Sequence, residues 1–326
     1  MKRSAVLGIA LLGALGGLPA GAQQAGKTYR VAILTSQTRA YDGQLLKAFR
    51  RTLAGLGYHE GKNLEIDYRG AGQDIQQLPA LALELVRTKP DAIVASAPPA
   101  ITAAKRATRS VPIVMTDVSD PVGAGFVASL ARPGGNITGG ANMNDELEGK
   151  RVQLLKELIP RLRDVAVLRN PSNTGNLTEW RAAEGVARTL EIQTVAVDVC
   201  SADQIERAFK TIPHLHVDAI IVSGDGVMIG NASRIVQLVA AQRLPAIYVN
   251  NTFAAAGGIM SYGASDSAMW MQVATYVDRI LKGANPADSP VEQPTTFALI
   301  VNLKTAHNLG ITIPQSILLR ATQVIK

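Results

Sequence analysis

The sequence predicts an α/β fold: two doubly wound parallel-sheet lobes joined by a multi-strand hinge. Three observations carry this. Strand-like apolar runs alternate with amphipathic helical stretches, the pattern of crossover units and a parallel sheet. The alternation pauses at a turn cluster, Arg132-Pro-Gly-Gly-Asn136, and then restarts. The length of 326 residues suits two domains at ~100–200 residues each.

In the first half, residues 30–34 form an apolar strand. In 41–56, Leu45, Leu46, Phe49, Leu53 and Leu56 recur with helical spacing on one face, and Gly57 stops the helix. Residues 64–68 alternate as a strand. Residues 75–86 form an amphipathic helix that ends before Pro90. Residues 92–96 read as a buried strand. Pro98 and Pro99 suit the first turn of a helix over 100–108, and 112–115 is a strand.

A short strand at 137–140 precedes the second unit. Its strands are expected at 165–168, 193–197, 219–222 and 246–249, with helices over 146–159, 176–190, 202–212 and 228–243. Each unit would hold about four or five strands. After Gly257-Gly258 come a short strand (259–262), a long helix (267–281), a proline-rich stretch (286–294) and a late strand (297–301). A chain that continues past two complete units is expected to cross back between them, and several crossings make a hinge. The boundaries are therefore 27–142 plus about 264–290 for the N-terminal lobe, and 143–263 plus about 291–326 for the C-terminal lobe.

The first residues read as an export signal. Lys2 and Arg3 precede an apolar run from Ala5 to Leu18, and Ala20-Gly-Ala22 supplies the small-residue cleavage pattern. Cleavage is expected after Ala22. The run is shorter than the ~20 apolar residues of a spanning helix, and no cysteine stands there to take a lipid. The expected location is the periplasm.

The formal charge is +7 and stays positive without Lys2 and Arg3. The basic residues are scattered, and no basic cluster is interleaved with aromatics, so no nucleic-acid surface is expected. The positive balance suits an anionic or zwitterionic ligand. The single cysteine, Cys200, ends an apolar run and is expected to be a small buried residue.

In open parallel sheets, ligands sit at the carboxyl ends of the strands. That rule selects Thr35, Ser36 and Gln37, then Ser96 and Ala97, then Thr116 and Asp117 in the first lobe. In the second it selects Arg169 and Asn170, then Ser223 and Asp225, then Tyr248, Asn250 and Asn251. Each is also an ordinary turn or cap residue. The Ser96 position precedes a helix start, where free N–H groups favour an anion. Ser96, the Ala97 amide and Thr116 would hold an anionic group. Asp225, with Asn250 or Tyr248, would close on a ligand ammonium.

No phosphate-cradling loop, Gly-x-Ser-x-Gly elbow or metal-spaced Cys/His cluster is present. No catalytic residue, cofactor or metal is expected. Gly123-Ala-Gly125-Phe-Val-Ala128 loosely matches a dinucleotide fingerprint but emerges from no early strand. Its glycines are read as opening a closely packed helix.

Several longer runs carry a resemblance. They are Leu56-Gly-Tyr-His-Glu-Gly-Lys-Asn-Leu64, Asp120-Pro-Val-Gly-Ala-Gly-Phe126, Leu130-Ala-Arg-Pro-Gly-Gly-Asn-Ile-Thr-Gly139, Gly258-Ile-Met-Ser-Tyr-Gly263, Tyr276-Val-Asp-Arg-Ile-Leu-Lys-Gly283, Pro290-Val-Glu-Gln-Pro294 and Asn302-Leu-Lys-Thr-Ala306. Taken in order they resemble the TrpX-like ABC transporter substrate-binding protein family. Met269-Trp-Met271 and the Arg320–Lys326 ending depart from its usual pattern. The resemblance implies a periplasmic binding protein type I fold and capture of a small, amino-acid-like or aromatic solute by lobe closure. It also implies delivery to an ABC permease in the inner membrane. A monomer is expected. A ligand-presenting sensor and, less in keeping with the missing motifs, an enzyme on the same scaffold are the alternative readings.

Overall fold

The computed structural model describes residues 27–37, 39–72 and 74–326. The expected signal segment, 1–22, lies outside the described residues. The chain begins β1 (Tyr29–Thr35), α1 (Arg39–Gly55), β2 (Leu64–Gly70), α2 (Leu78–Arg87), β3 (Ala92–Ser96), α3 (Pro98–Ala107), β4 (Ile113–Thr116), β5 (Ile137–Gly139). These strands form a five-stranded parallel sheet in the order β2-β1-β3-β4-β5. The central strand β3 is buried along its whole length, as an unbroken apolar run covered on both faces must be. Thr35 pairs with Ser96 and Ser96 with Thr116. That register brings three strand ends level at one edge.

The chain continues through α4 (Asn144–Leu158), β6 (Asp164–Arg169), α5 (Thr174–Thr189), β7 (Gln193–Asp198), α6 (Ile205–Thr211), β8 (Ala219–Val222), α7 (Gly226–Gly230), α8 (Ala232–Ala241), β9 (Ala246–Tyr248), α9 (Asn251–Ala255) and β10 (Met260–Ala264). The last part is α10 (Asp266–Leu281), β11 (Phe297–Asn302), α11 (Leu303–Leu309), α12 (Gln315–Arg320) and β12 (Gln323–Ile325). The second sheet has seven strands, β12-β11-β10-β9-β8-β6-β7. It exceeds the expected size because β10, β11 and β12 extend it, and β11 runs antiparallel to β10.

Each sheet carries an apolar core on both faces. Although α10 follows a strand of the second sheet, its Trp270, Val273, Ala274 and Val277 pack with Val31 and Ile33 of the first and with Phe49 of α1. Val291 packs on that sheet's other face, and the chain then returns to the second sheet as β11. Two crossing segments pair: Gly140 bridges Glu292, and the Ala141 N–H donates to the Glu292 carbonyl at 2.9 Å.

Four local expectations need correction. Residues 121–125 form turns and open no helix. Asp120 Oδ1 accepts the Gly123 N–H at 2.7 Å, a side-chain turn that competes with helix, and a Cβ at Gly123 would stand 1.9 Å from Asp120 Oδ2. The single helix expected over 228–243 is two, α7 and α8, broken at Gly230-Asn231, residues poorly suited to a helix interior. The helices α9, α11 and α12 and the strand β12 were not expected. Cys200 is exposed. It follows buried Val199 just past the edge strand β7, where successive side chains alternate inward and outward.

Candidate ligand-binding site

The carboxyl ends of both sheets face one crevice. Its two sides touch: a Cβ at Gly226 would stand 2.9 Å from Ser36 Oγ, and one at Gly175 would stand 3.3 Å from Pro98 Cγ. Two adjoining, partly open cavities occupy the crevice. Gln37, Ser96, Asp117, Asn142, Asn144 and Gly224 line both. The inner cavity is completed by Asp42, Asn250 and Asp266 and by an apolar wall that includes Leu45, Ile229, Val249 and Trp270. The outer one is completed by Ser36, Ala97, Ser119, Asn173, Glu179 and Asp225.

Of the residues selected by the strand-end rule, Ser36, Gln37, Ser96, Ala97, Asp117, Asp225 and Asn250 line the crevice. Thr35, Thr116, Arg169, Asn170, Ser223, Tyr248 and Asn251 do not. Thr35 Oγ1 accepts the Gln37 N–H at 3.1 Å. Asn170 Nδ2 donates to Asp225 Oδ1 at 3.2 Å. Ser223 is fully buried, and its hydroxyl has no partner. The Tyr248 ring stacks on Phe253 at 4.9 Å inside the second core, so it cannot meet a ligand. On a buried strand, alternation turns it inward.

The start of α3 is poorer in free amides than the sequence suggests. The Ala97 N–H already donates to the Thr116 carbonyl at 3.0 Å. Pro98 and Pro99 have no N–H, and the Ile101 N–H is bonded to the Ala97 carbonyl. The prolines that start the helix remove two of its first-turn donors and leave the Ala100 N–H. Ala97 itself sits at φ 73°, ψ 152°, a region nearly restricted to glycine, and Asp117 has φ 59°. Strained backbone of this kind gathers at binding sites.

Carboxylates dominate the crevice instead. Asp225 caps α7, accepting the Val227 N–H at 2.8 Å, and also takes Asn170, Asn173 (3.0 Å) and the Gly226 amide. Its acceptor positions are used, so it is a fixed negative charge. Asp117 accepts from Asn142 Nδ2 at 2.8 Å, Asp266 from Asn250 Nδ2 at 3.0 Å, and Asp42 from the Tyr68 hydroxyl at 2.6 Å. All these donors are neutral. Burial pushes Asp266 up to about 7, and nearby Asp117 adds to the rise against the Asn250 bond. Burial also raises Asp42 to about 6, against bonds from Tyr68 and Thr35, with Asp117 again adding. Asp117 and Asp225 are raised chiefly by burial, and Glu179 is raised well above its usual range by burial and then by Glu148.

Among the described residues, no Lys, Arg or His lines either cavity. The nearby cation, Arg151, is wholly buried and committed to Glu148 (2.6 Å), Asn144 (3.0 Å) and the Tyr262 carbonyl (2.8 Å). It positions Asn144 and ties α4 to β10.

Asp42, Asn142, Asn144, Asp266 and Trp270 were missed from the sequence. Applying the same strand-end rule to β5 and β10 would have reached Asn142, Asn144 and Asp266. Asp42 lies in the first turn of α1, where an acidic residue reads as a favourable helix end.

Residues 37–325 match the model of a family described as ABC transporter substrate binding protein. A tyrosine-binding protein of Clostridioides difficile is 26% identical over 264 residues, 81% of this chain and 75% of that protein. A conserved domain protein from Vibrio cholerae superposes with a TM-score of 0.86 at 29% identity, covering 91% of this chain and all of that one. An ABC domain from Streptococcus pneumonia in complex with L-Trp gives 0.85 at 27% identity, covering 92% of this chain and all of that one.

Proposed function

We propose, from the premise that the chain belongs to the ABC transporter substrate-binding protein family, that it is the periplasmic receptor of an importer. In this reading it captures a small amino-acid-like solute between two closing lobes. Members of this family bind rather than catalyse, and the chain is a binding protein rather than an enzyme. The lobes would be 27–142 with about 264–290, and 143–263 with about 291–326, the export signal having been cleaved after Ala22.

The observation that carries the reading is the crevice itself. Hydroxyls, amides and carboxylates from the strand ends of both sheets converge on one space with an apolar wall. An amino group would be held in the field of Asp225 and Asp117. The Ser36 and Ser96 hydroxyls and the Gln37 amide are the groups available to a carboxylate. Relatives that bind tyrosine and L-Trp support an amino-acid ligand. Closure removes water and strengthens each polar contact, and a solute that prefers the closed form shifts the population towards it. The closed protein would dock as a monomer on an inner-membrane permease.

A thermal-shift screen of the free amino acids tests this. At ~100-fold excess over Kd a true ligand adds about 2.7 kcal/mol of stability, so at least one amino acid should raise the melting temperature. A flat response to all of them would contradict the reading.

A further inference from the structure

The crevice holds carboxylates at both ends. Asp225 stands in the outer cavity, Asp42 and Asp266 in the inner one, and Asp117 between them. One ammonium of a neutral amino acid would answer only one end. An independent observation points the same way. Gln37 is 7% exposed and lines both cavities, yet its Oε1 has no hydrogen-bond partner. That buried acceptor calls for a donor from a ligand.

From these two observations we infer that the solute carries two cationic groups (a dication in that sense), with one positively charged nitrogen facing Asp225 and a second, across an aliphatic chain, facing Asp266, Asp42 and Gln37. This rests on the solute-capture reading above and specifies its ligand. A basic amino acid and a free diamine share this chemistry. The α3 start offers an anion at most the Ala100 amide, since Ala97 is spent and Pro98 and Pro99 lack the group. Asp117 and Asp266 each accept a single hydrogen bond among the described residues, from a neutral amide, which leaves acceptor capacity for a charged donor. Burial, with the nearby Asp117 adding to it, holds Asp266 up to about 7, the expected state of a carboxyl whose countercharge arrives with the ligand.

The test is titration calorimetry of the mature protein at pH 7.5 with L-lysine, L-arginine and 1,5-diaminopentane, against the uncharged isosteres L-norleucine and L-citrulline, and L-Trp and L-Tyr. The expected result is at least about tenfold tighter binding of a dication than of its isostere. In Asp266→Asn that preference should shrink towards unity. Diaminopentane binding without lysine would support the dication and overturn the amino-acid part of the functional reading. Tight L-Trp or L-Tyr binding with no dication binding would overturn the inference and leave solute capture standing. Equal affinity for lysine and norleucine in the wild type, or no binding by any of the seven, would also overturn it.

Discussion

The two walls of the crevice are built on opposite plans. On the second sheet Asp225 is finished: it caps α7, and Asn170, Asn173 and two backbone amides saturate it. On the first sheet the equivalent positions are unfinished. Ala97 is strained, Gln37 Oε1 is unpartnered, and Asp117 combines positive φ with a single bond from Asn142. A finished network fixes a charge in place. An unfinished one leaves its bonds for something else to make. Under the proposed function, the contrast assigns rigid electrostatics to the wall of Asp225 and direct ligand contact to the wall opposite.

The largest effect should come from dismantling the finished side. Asp225→Ala removes a helix cap and leaves two buried amide side chains without their acceptor, and each such loss costs about 1–3 kcal/mol. Urea unfolding should show about 3 kcal/mol of destabilisation. If the variant is as stable as wild type, the network is not what holds that wall. A wedge comes next. Gly226→Val pushes a side chain into the space of Ser36 Oγ, which stands 2.9 Å from where a Cβ would lie. It should hold the lobes apart and weaken solute binding by about tenfold, or ~1.4 kcal/mol, with little change in the far-ultraviolet spectrum.

The unfinished side should show itself in pH dependence. Asp266, raised from the ordinary carboxylate range to about 7, binds its proton more tightly folded than unfolded. Its contribution is therefore fully present below about pH 4 and is lost as pH rises through about 7. Asp42, raised to about 6, acts in the same direction. The ligand-free melting temperature should fall between pH 5 and 8 on their account, and Asp266→Asn should flatten that fall. An unchanged slope in the variant would remove Asp266 from the explanation. The smallest effect is at Ala97. Glycine tolerates φ 73°, ψ 152°, so Ala97→Gly should stabilise the protein by about 1 kcal/mol. Destabilisation would show that the conformation is unstrained.

The same contrast explains what could be read in advance. Alternation of apolar runs and helical faces exposed both sheets, because covered strands such as β3 and β8 must be apolar throughout. The strand-end rule reached Ser36, Gln37, Ser96, Asp117, Asp225 and Asn250, since main-chain register alone places them. It failed where side-chain direction decides, as at Tyr248, which points into the core. It also failed where a hydrogen bond decides, as at the Ala97 amide. The acid excess of the crevice was hidden by a positive chain, because net charge does not say where charges gather. The segment 264–290 was assigned to the first lobe, but the two crevice residues that α10 carries, Asp266 and Trp270, were not singled out.

Small-angle scattering of the mature protein, with and without a solute found by thermal shift, addresses lobe closure most directly. The account predicts a smaller radius of gyration on saturation, abolished by Gly226→Val. A scattering curve unchanged by a saturating solute, with wild type and Gly226→Val superimposable, would contradict it.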